Sequence, residues 1–182
     1  MDSSIFKEYK VKSKVDKNIF NKYKETLPLE LTDVWKEYGF GSMLNGYLKI
    51  VNPDEYQSVV DMSYFRANVS IPILVTAFGD IITWEENKYI RLLRYKIRTF
   101  KGIASGFEFF WEDVSTGYFC EEFFELDKYN EAIEKYGELE YDECFGYVPL
   151  LGLGGSEKVE NLRKVKIREH IELITQLVGK IE

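Results

Sequence analysis

The chain has 182 residues, a length that allows one ordinary domain or two small ones and excludes a long multidomain assembly. Hydrophobic residues make up 45% of it and aromatic residues 16%, which is enough apolar surface to form a core and excludes disorder as a global description. The net charge of −7 opposes a general affinity for nucleic acid.

The first half of the sequence predicts three helices and one strand. A helix is expected to begin around Asn18 and to end before Pro28. Apolar residues then recur at helical spacing from Leu31 to Tyr38, with Gly39 in the position of a C-terminal cap. A strand over residues 47–51 precedes Asn52-Pro53, which opens a third helix over roughly 53–60.

The middle of the chain predicts an antiparallel sheet. From Ile71 to Trp111 the sequence is rich in β-branched and aromatic residues, in short runs separated at hairpin distances. We expect a meander of four or five strands, with short turns at positions such as Glu86-Asn87. The predicted strands cover residues 71–78, 81–85, 89–95, 97–103 and 107–111.

The last third predicts helices around one further strand. Residues 114–126 are ambiguous, and a helix follows with Asp127 as N-cap and Gly137 as its end. A glycine loop at 152–155 leads into a strand at 164–168 and a final helix over 171–178. Only a change in residue composition divides the chain, into an N-terminal region at 1–68 and a C-terminal region at 69–182. The two regions could also form one compact unit.

Two cysteines, Cys120 and Cys144, are too few for a disulfide framework, and no C-x-x-C pair indicates a zinc or redox centre. The beginning of the chain has no apolar signal segment, and no later run approaches the roughly 20 apolar residues of a membrane-spanning helix. We therefore expect a cytoplasmic protein with reduced thiols, no cofactor, no metal and no membrane partner.

Charge along the chain points to one acidic region. Residues 1–24 hold seven lysines and three acids, whereas residues 105–155 hold two lysines and thirteen acids. The lysines from Lys7 to Lys24 lack a cluster of adjacent basic residues, and we interpret them as a solvated helix face. The acids could likewise be a solvated face, or they could form a docking surface for a basic partner.

Aromatic residues are interspersed among these acids, and aromatic anchors among charges are typical of tight protein interfaces. The alternative is that most of these rings belong to the hydrophobic core. The candidate partner-binding residues are Tyr118, Glu121, Glu122, Phe123, Glu125, Asp142 and Glu143. A nucleophilic site built on Cys144 and His170 is the enzymatic alternative, since an imidazole can activate a thiol.

Two stretches resemble known families. The first runs from Leu27-Pro28 through Trp35 and Gly39-Phe40-Gly41 to Asn52-Pro53, and it looks like the GAD-like domain. The second begins at Tyr141-Asp142-Glu143-Cys144-Phe145-Gly146 and continues through Gly154-Gly155-Ser156 to His170. It is similar to the domain that follows the GAD-like domain in type VI secretion DNase-immunity proteins.

The resemblance implies a binding protein without catalysis that neutralises a cognate nuclease toxin. It implies an α+β fold, with a helical GAD-like part packed on a mostly antiparallel sheet and helices at the C-terminus. Because nuclease active sites are basic surfaces, an acidic face could occupy them, and no direct nucleic-acid binding is expected.

A different class of function is a regulatory or RNA-associated adaptor, because GAD-related domains also occur in enzymes that handle tRNA. Such a function would need a basic patch on one face of the protein. Its candidate residues are Lys88, Arg91, Arg94, Lys96 and Arg98.

Overall fold

The structure is a computed structural model that describes residues 3–182. Seven strands form one antiparallel sheet in which every strand pairs with its neighbour in the sequence. The strands are β1 (Lys10–Ser13), β2 (Phe40–Met43), β3 (Leu48–Ile50), β4 (Ser70–Thr76), β5 (Ile81–Glu85), β6 (Tyr89–Arg94) and β7 (Thr99–Ser105). Two further strands, β8 (Glu143–Tyr147) and β9 (Leu162–Lys166), pair with each other as a separate antiparallel ribbon.

Seven α-helices connect or follow these strands within the described residues. Those in the first third are α1 (Lys17–Tyr23), α2 (Leu29–Glu37) and α3 (Pro53–Ser63). Those after the sheet are α4 (Phe110–Ser115), α5 (Gly117–Phe123), α6 (Leu126–Tyr136) and α7 (Ile167–Val178).

The sheet separates two clusters of buried side chains, because successive residues of a strand point to opposite faces. On β5, Ile82 belongs to the first cluster and Ile81 to the second. The first face is covered by α1, α2 and α4–α6, and its cluster is rich in aromatic rings, among them Trp35 and Phe110. The second face is covered by α3 and α7, and its cluster is smaller and more aliphatic.

The mixed α+β class and the mostly antiparallel sheet are confirmed, but the expectation of a helical N-terminal part was wrong. Residues 4–96 contain β1 to β6 as well as α1 to α3, so this part of the chain supplies most of the sheet. The sheet is also continuous across residue 68, since Ile50 of β3 pairs with Leu74 of β4. The division into regions 1–68 and 69–182 stays a prediction.

The central meander is confirmed over β4 to β7, and β5 has the predicted bounds. The turn between β5 and β6 spans residues 86–88, and it places Glu86 and Asn87 at φ 55° and 52°, the left-handed region that the central residues of a type I′ turn occupy. The fifth predicted strand, at 107–111, was wrong. Phe110 and Trp111 follow Phe107 by three and four residues, the spacing of one side of a helix. The three rings pack together at the N-terminal end of α4.

Two local predictions also need correction. Helix α6 begins at Leu126, so Asp127 is not the N-cap that was predicted. It lies inside the first turn, where its negative charge interacts favourably with the helix dipole. The lysine-rich beginning is not one helix face, because residues 10–13 form the edge strand β1 before α1 begins at Lys17. All four residues of β1 are exposed, which is typical of an edge strand protected by lysines.

Candidate functional site: the α4–α5 surface

Helices α4 and α5 form a short helical corner on the first face of the sheet. Thr116 ends α4 and caps α5, and its hydroxyl oxygen accepts a hydrogen bond from the Phe119 amide at 3.3 Å. The Phe119 ring lies 6.0 Å from that of Phe110 and 5.6 Å from that of Phe124. Arg94 of β6 donates to the carbonyl of Phe123 at 3.2 Å, which satisfies an end group of α5. These contacts attach the corner to β6 and to the aromatic cluster, and the corner forms a platform on the sheet.

Two aromatic rings project from this platform into solvent. Tyr118 is 77% exposed and Phe109 is 59% exposed. Phe109 was missed at the sequence level, although the helical spacing of its buried neighbours Phe107, Phe110 and Trp111 leaves it on the outer side. Phe123 is half-buried, and the Lys101 ammonium lies 4.6 Å from the centre of its ring.

The same surface carries acidic side chains with little compensation. Residues 105–127 contain no lysine or arginine. Glu121 and Glu122 are exposed at the end of α5, and Glu122 accepts from Lys101 of β7 at 2.9 Å. Because both members of that pair are solvated, the pair is weak. We name Phe109, Tyr118, Glu121 and Glu122 the α4–α5 surface.

Glu125 lies in a different environment from its neighbours. It is paired with Lys96 and with Lys128, and both lysines also contact Glu157. Burial acts to raise the pKa of Glu125, but the two ammonium groups outweigh it and hold that pKa below its ordinary value. This ion network joins the end of β6 to α6 and to the loop before β9, so the charge of Glu125 is used inside the protein.

A shallow groove of about 480 Å³ separates the end of α5 from the beginning of α6. The groove is lined by the charged side chains of Glu121, Glu125, Asp127 and Lys128. The buried residues Cys120 and Phe124 also contribute to its lining. Among the described residues, Glu121 and Asp127 are the carboxylates of this groove without an ion pair, because Lys96 and Lys128 neutralise Glu125.

Asp142 and Glu143 lie at the beginning of β8, and both pair with Lys166 of β9, Asp142 at 2.9 Å and Glu143 at 3.6 Å. The hydrogen bond from Lys166 holds the pKa of Asp142 below its usual value. Within residues 3–182 no hydrogen bond or ion pair joins these two acids to α5. The candidate residues thus divide into an exposed group on α5 and a group neutralised by cations of other elements.

The basic residues proposed for an adaptor do not form one face. Arg91 and Arg94 lie on opposite faces of β6, since Arg91 pairs with the buried Glu85 on the second face and Arg94 reaches α5 on the first. Lys96 belongs to the ion network with Glu125, and Arg98 donates to the carbonyl of Val178. Most of this positive charge is therefore held by internal contacts.

The residues of the enzymatic alternative are buried. Burial raises the pKa of the Cys144 thiol to about 12, so the sulfur is protonated near neutral pH. Burial also lowers the pKa of His170 to about 4, and among the described side chains no hydrogen bond joins it to Cys144. Over the same residues, no group of three or more His, Cys, Asp or Glu side chains has the geometry of a metal site.

Comparisons with known proteins define the class. Residues 4–96, about half of the chain, match the GAD-like domain, and the chain belongs to this family. Residues 104–178 match the family described as T6SS immunity protein Tdi1, C-terminal, which confirms the order of domains that the motifs predicted. Together the two matches place the chain among type VI secretion immunity proteins.

A comparison with solved structures adds the fold. The crystal structure of Atu4351 from Agrobacterium tumefaciens superimposes with a TM-score of 0.74, covering 97% of this chain and 89% of that chain at 18% sequence identity. At this identity the likeness shows a shared fold alone. A comparison with curated proteins found no match. Throughout residues 3–182, no helix combines the length and the apolar character needed to cross a membrane.

Proposed function

We propose that this protein acts without catalysis, in the cytoplasm, by binding a nuclease (DNase-type) toxin domain and blocking its basic substrate-binding surface. The observation that carries the proposal is the α4–α5 surface, where Phe109 and Tyr118 project between acids in a segment without lysine or arginine. Exposed aromatic anchors surrounded by one sign of charge are typical of protein interfaces that form quickly and tightly.

The seven predicted contact residues take different parts in this proposal. Tyr118, Glu121, Glu122 and Phe123 form the contact itself, and the groove between α5 and α6 accepts a basic side chain of the toxin. Glu125, Asp142 and Glu143 are paired within the protein, so they contribute to the long-range negative field rather than to direct contacts.

A nuclease offers the complementary surface. Its active site must hold phosphate groups, so it carries lysine and arginine side chains and is positive. An acidic protein surface lying on that site excludes the nucleic acid and gains the same electrostatic attraction. The net charge of −7 of this chain supports the same direction of attraction.

The first experiment is co-expression with the toxin domain encoded by the neighbouring reading frame, followed by co-purification and a DNA-degradation assay. A stable complex without DNA cleavage is the expected result. Separate elution of the two proteins together with undiminished DNA cleavage would contradict immunity against that toxin.

The contact surface is tested by stopped-flow association at several salt concentrations. For the double variant Glu121→Gln and Glu122→Gln we expect association about tenfold slower at low salt, with a weaker salt dependence. The matched control is Glu131→Gln with Glu134→Gln on the exposed side of α6, which removes the same charge elsewhere. Equal effects of the two pairs would show that total charge, rather than this surface, determines binding.

A further inference from the structure

The N-terminal part of the structure contains a second open groove, distinct from the α4–α5 surface. It has a volume of about 520 Å³ and lies between β1, α1 and the end of α2. Val11 of β1, Phe20 of α1, and Trp35 and Tyr38 at the end of α2 supply most of its apolar lining. This volume and lining are typical of binding sites rather than of the narrow gaps between surface side chains.

The rim of this groove is positive. Lys14, Lys17 and Lys36 line it, against the single acid Glu37. Lys14 and Lys17 are exposed, and neither has an ion pair with any other described residue. Lys36 pairs with Asp33 at 2.8 Å, and its ammonium lies 5.5 Å from the centre of the Phe20 ring. The groove therefore presents two free cations beside an aromatic floor.

Two features leave hydrogen-bonding groups without partners at this site. The indole N–H of Trp35, a buried residue of the lining, has no acceptor among the described residues. Strand β1 pairs only with β2, so one edge of its backbone has no partner strand in the described part of the chain. On that edge strand the side chain of Val11 is 60% exposed at the wall of the groove.

We propose that this groove binds an acidic, extended peptide segment of a partner protein. Apolar side chains of the segment pack on the floor beside Phe20 and Trp35, its carboxylates pair with Lys14 and Lys17, and its backbone lies along β1. A nucleic acid is disfavoured because the groove holds only three lysines in a chain of net charge −7. The proposal is independent of toxin neutralisation, which uses the acidic side of the protein.

The test is fluorescence anisotropy of three labelled pentapeptides with the full chain at low ionic strength. The probes are Asp-Leu-Asp-Leu-Asp, its uncharged analogue Asn-Leu-Asn-Leu-Asn, and its polar analogue Asp-Ser-Asp-Ser-Asp. We expect the first probe to bind at least about fivefold more tightly than either analogue, because the groove rewards charge and apolar contact together. A short duplex DNA serves as the fourth probe.

Variants assign the binding to the groove. The double variant Lys14→Glu and Lys17→Glu should weaken binding of the first probe by about tenfold. Its control, Lys158→Glu with Lys180→Glu, makes the same charge change at exposed positions outside the groove and should leave binding within about twofold. Val11→Ser tests the apolar contribution at a position where a folding defect is not expected.

Three outcomes would overturn the proposal. Equal binding of the leucine and serine acidic probes would indicate general electrostatic attraction. If the two double lysine variants lost affinity for the first probe equally, while circular dichroism showed that both are folded, the binding site would lie outside the groove. Tighter binding of duplex DNA than of any peptide would assign the lysines to nucleic acid instead.

Discussion

Glu85 and Glu121 carry the same carboxylate in two contrasting regions of the molecule. Glu85 is fully buried on the second face of the sheet, where Arg91 lies 2.8 Å away and Arg66 3.3 Å away, and where the hydroxyls of Ser70 and Thr83 donate to it. Glu121 lies exposed on α5, where it lines the groove between α5 and α6 and has no ion pair with another described residue. A buried charge must be satisfied by its own protein, whereas an exposed one is available to a partner.

The comparison teaches that the number of acids in a segment does not measure its available charge. Glu125 is only a few residues from Glu121, yet Lys96 and Lys128 neutralise it. Substitutions of buried, internally paired charges should therefore change stability and leave binding almost intact, and substitutions on the α4–α5 surface should do the reverse.

The largest effect is expected for Glu85→Gln, which removes the negative charge between two arginines. Because Arg91 would keep its positive charge without a counter-charge, and Arg66 would keep only the exposed Glu86, we expect the free energy of unfolding to fall by about 3 kcal/mol. Urea denaturation measures the change. Glu86→Gln, an exposed neighbour that also pairs with Arg66, is the control and should cost less than about 1 kcal/mol. Similar losses in both variants would contradict the role given to burial.

Tyr118→Ala should have the opposite profile. With its side chain in solvent, the folded state loses almost no packing, so the denaturation midpoint should not change. Binding to the cognate toxin domain should weaken by about 2 kcal/mol, the loss typical of a central aromatic anchor. Isothermal titration calorimetry measures it, and an unchanged affinity would remove Tyr118 from the contact.

Acid should destabilise the protein through His170. Its pKa is about 4 in the folded state and about 6.5 in an unfolded chain, so acidification between these values protonates the unfolded state first and lowers stability. Burial raises the pKa of Asp80 to about 7, and this group acts in the opposite direction, since the folded state gains its proton first.

His170→Gln removes one of these two terms. Relative to the native protein, we expect this variant to gain about 1–2 kcal/mol of stability as the pH falls from 6.5 to 4.5, measured by urea denaturation across that range. Asp80→Asn is the counterpart and should lose stability relative to the native protein over the same range. If both variants follow the native pH profile, neither buried group controls the acid response.

The smallest effect is expected for Lys166→Gln, which frees the carboxylates of Asp142 and Glu143. Lys166 and Asp142 are solvent-exposed and the contact with Glu143 is long, at 3.6 Å, so the denaturation midpoint should stay unchanged within error. The added negative field should accelerate association with a basic partner by about twofold at low salt and not at high salt. Slower association would mean that these acids oppose binding.

Much of the fold could be predicted because the pattern of apolar residues is local. Strand β5 and helices α2 and α3 have strong periodicity and clear turn or cap residues, and the structure places them close to the predicted bounds. Strands β1 and β2 were missed because lysines and small residues such as Gly41 and Ser42 carry no strand signal of their own. Their conformation comes from pairing between distant segments.

The composition of the candidate surface was predictable, and its available charge was not. One of the two cations that neutralise Glu125, and the cation that pairs with Asp142, come from other elements, since Lys96 is 29 residues from Glu125 and Lys166 is 24 residues from Asp142. Periodicity within one segment cannot reveal such partners. Phe109 shows the reverse case, where the wrong secondary structure at 107–111 concealed an exposed ring.

The order of strands in the sheet has a consequence for the kinetics of folding. Each strand pairs with the strand just made, so the meander can grow in the direction of synthesis by closing one loop at a time. The second face is completed much later, when α7 packs on α3 and Ile181 hydrogen-bonds with Ser63 and Phe65. Nascent chains of this protein should therefore form the sheet first, because the first core also needs Phe145 and Leu162 and the second core closes only with Ile181.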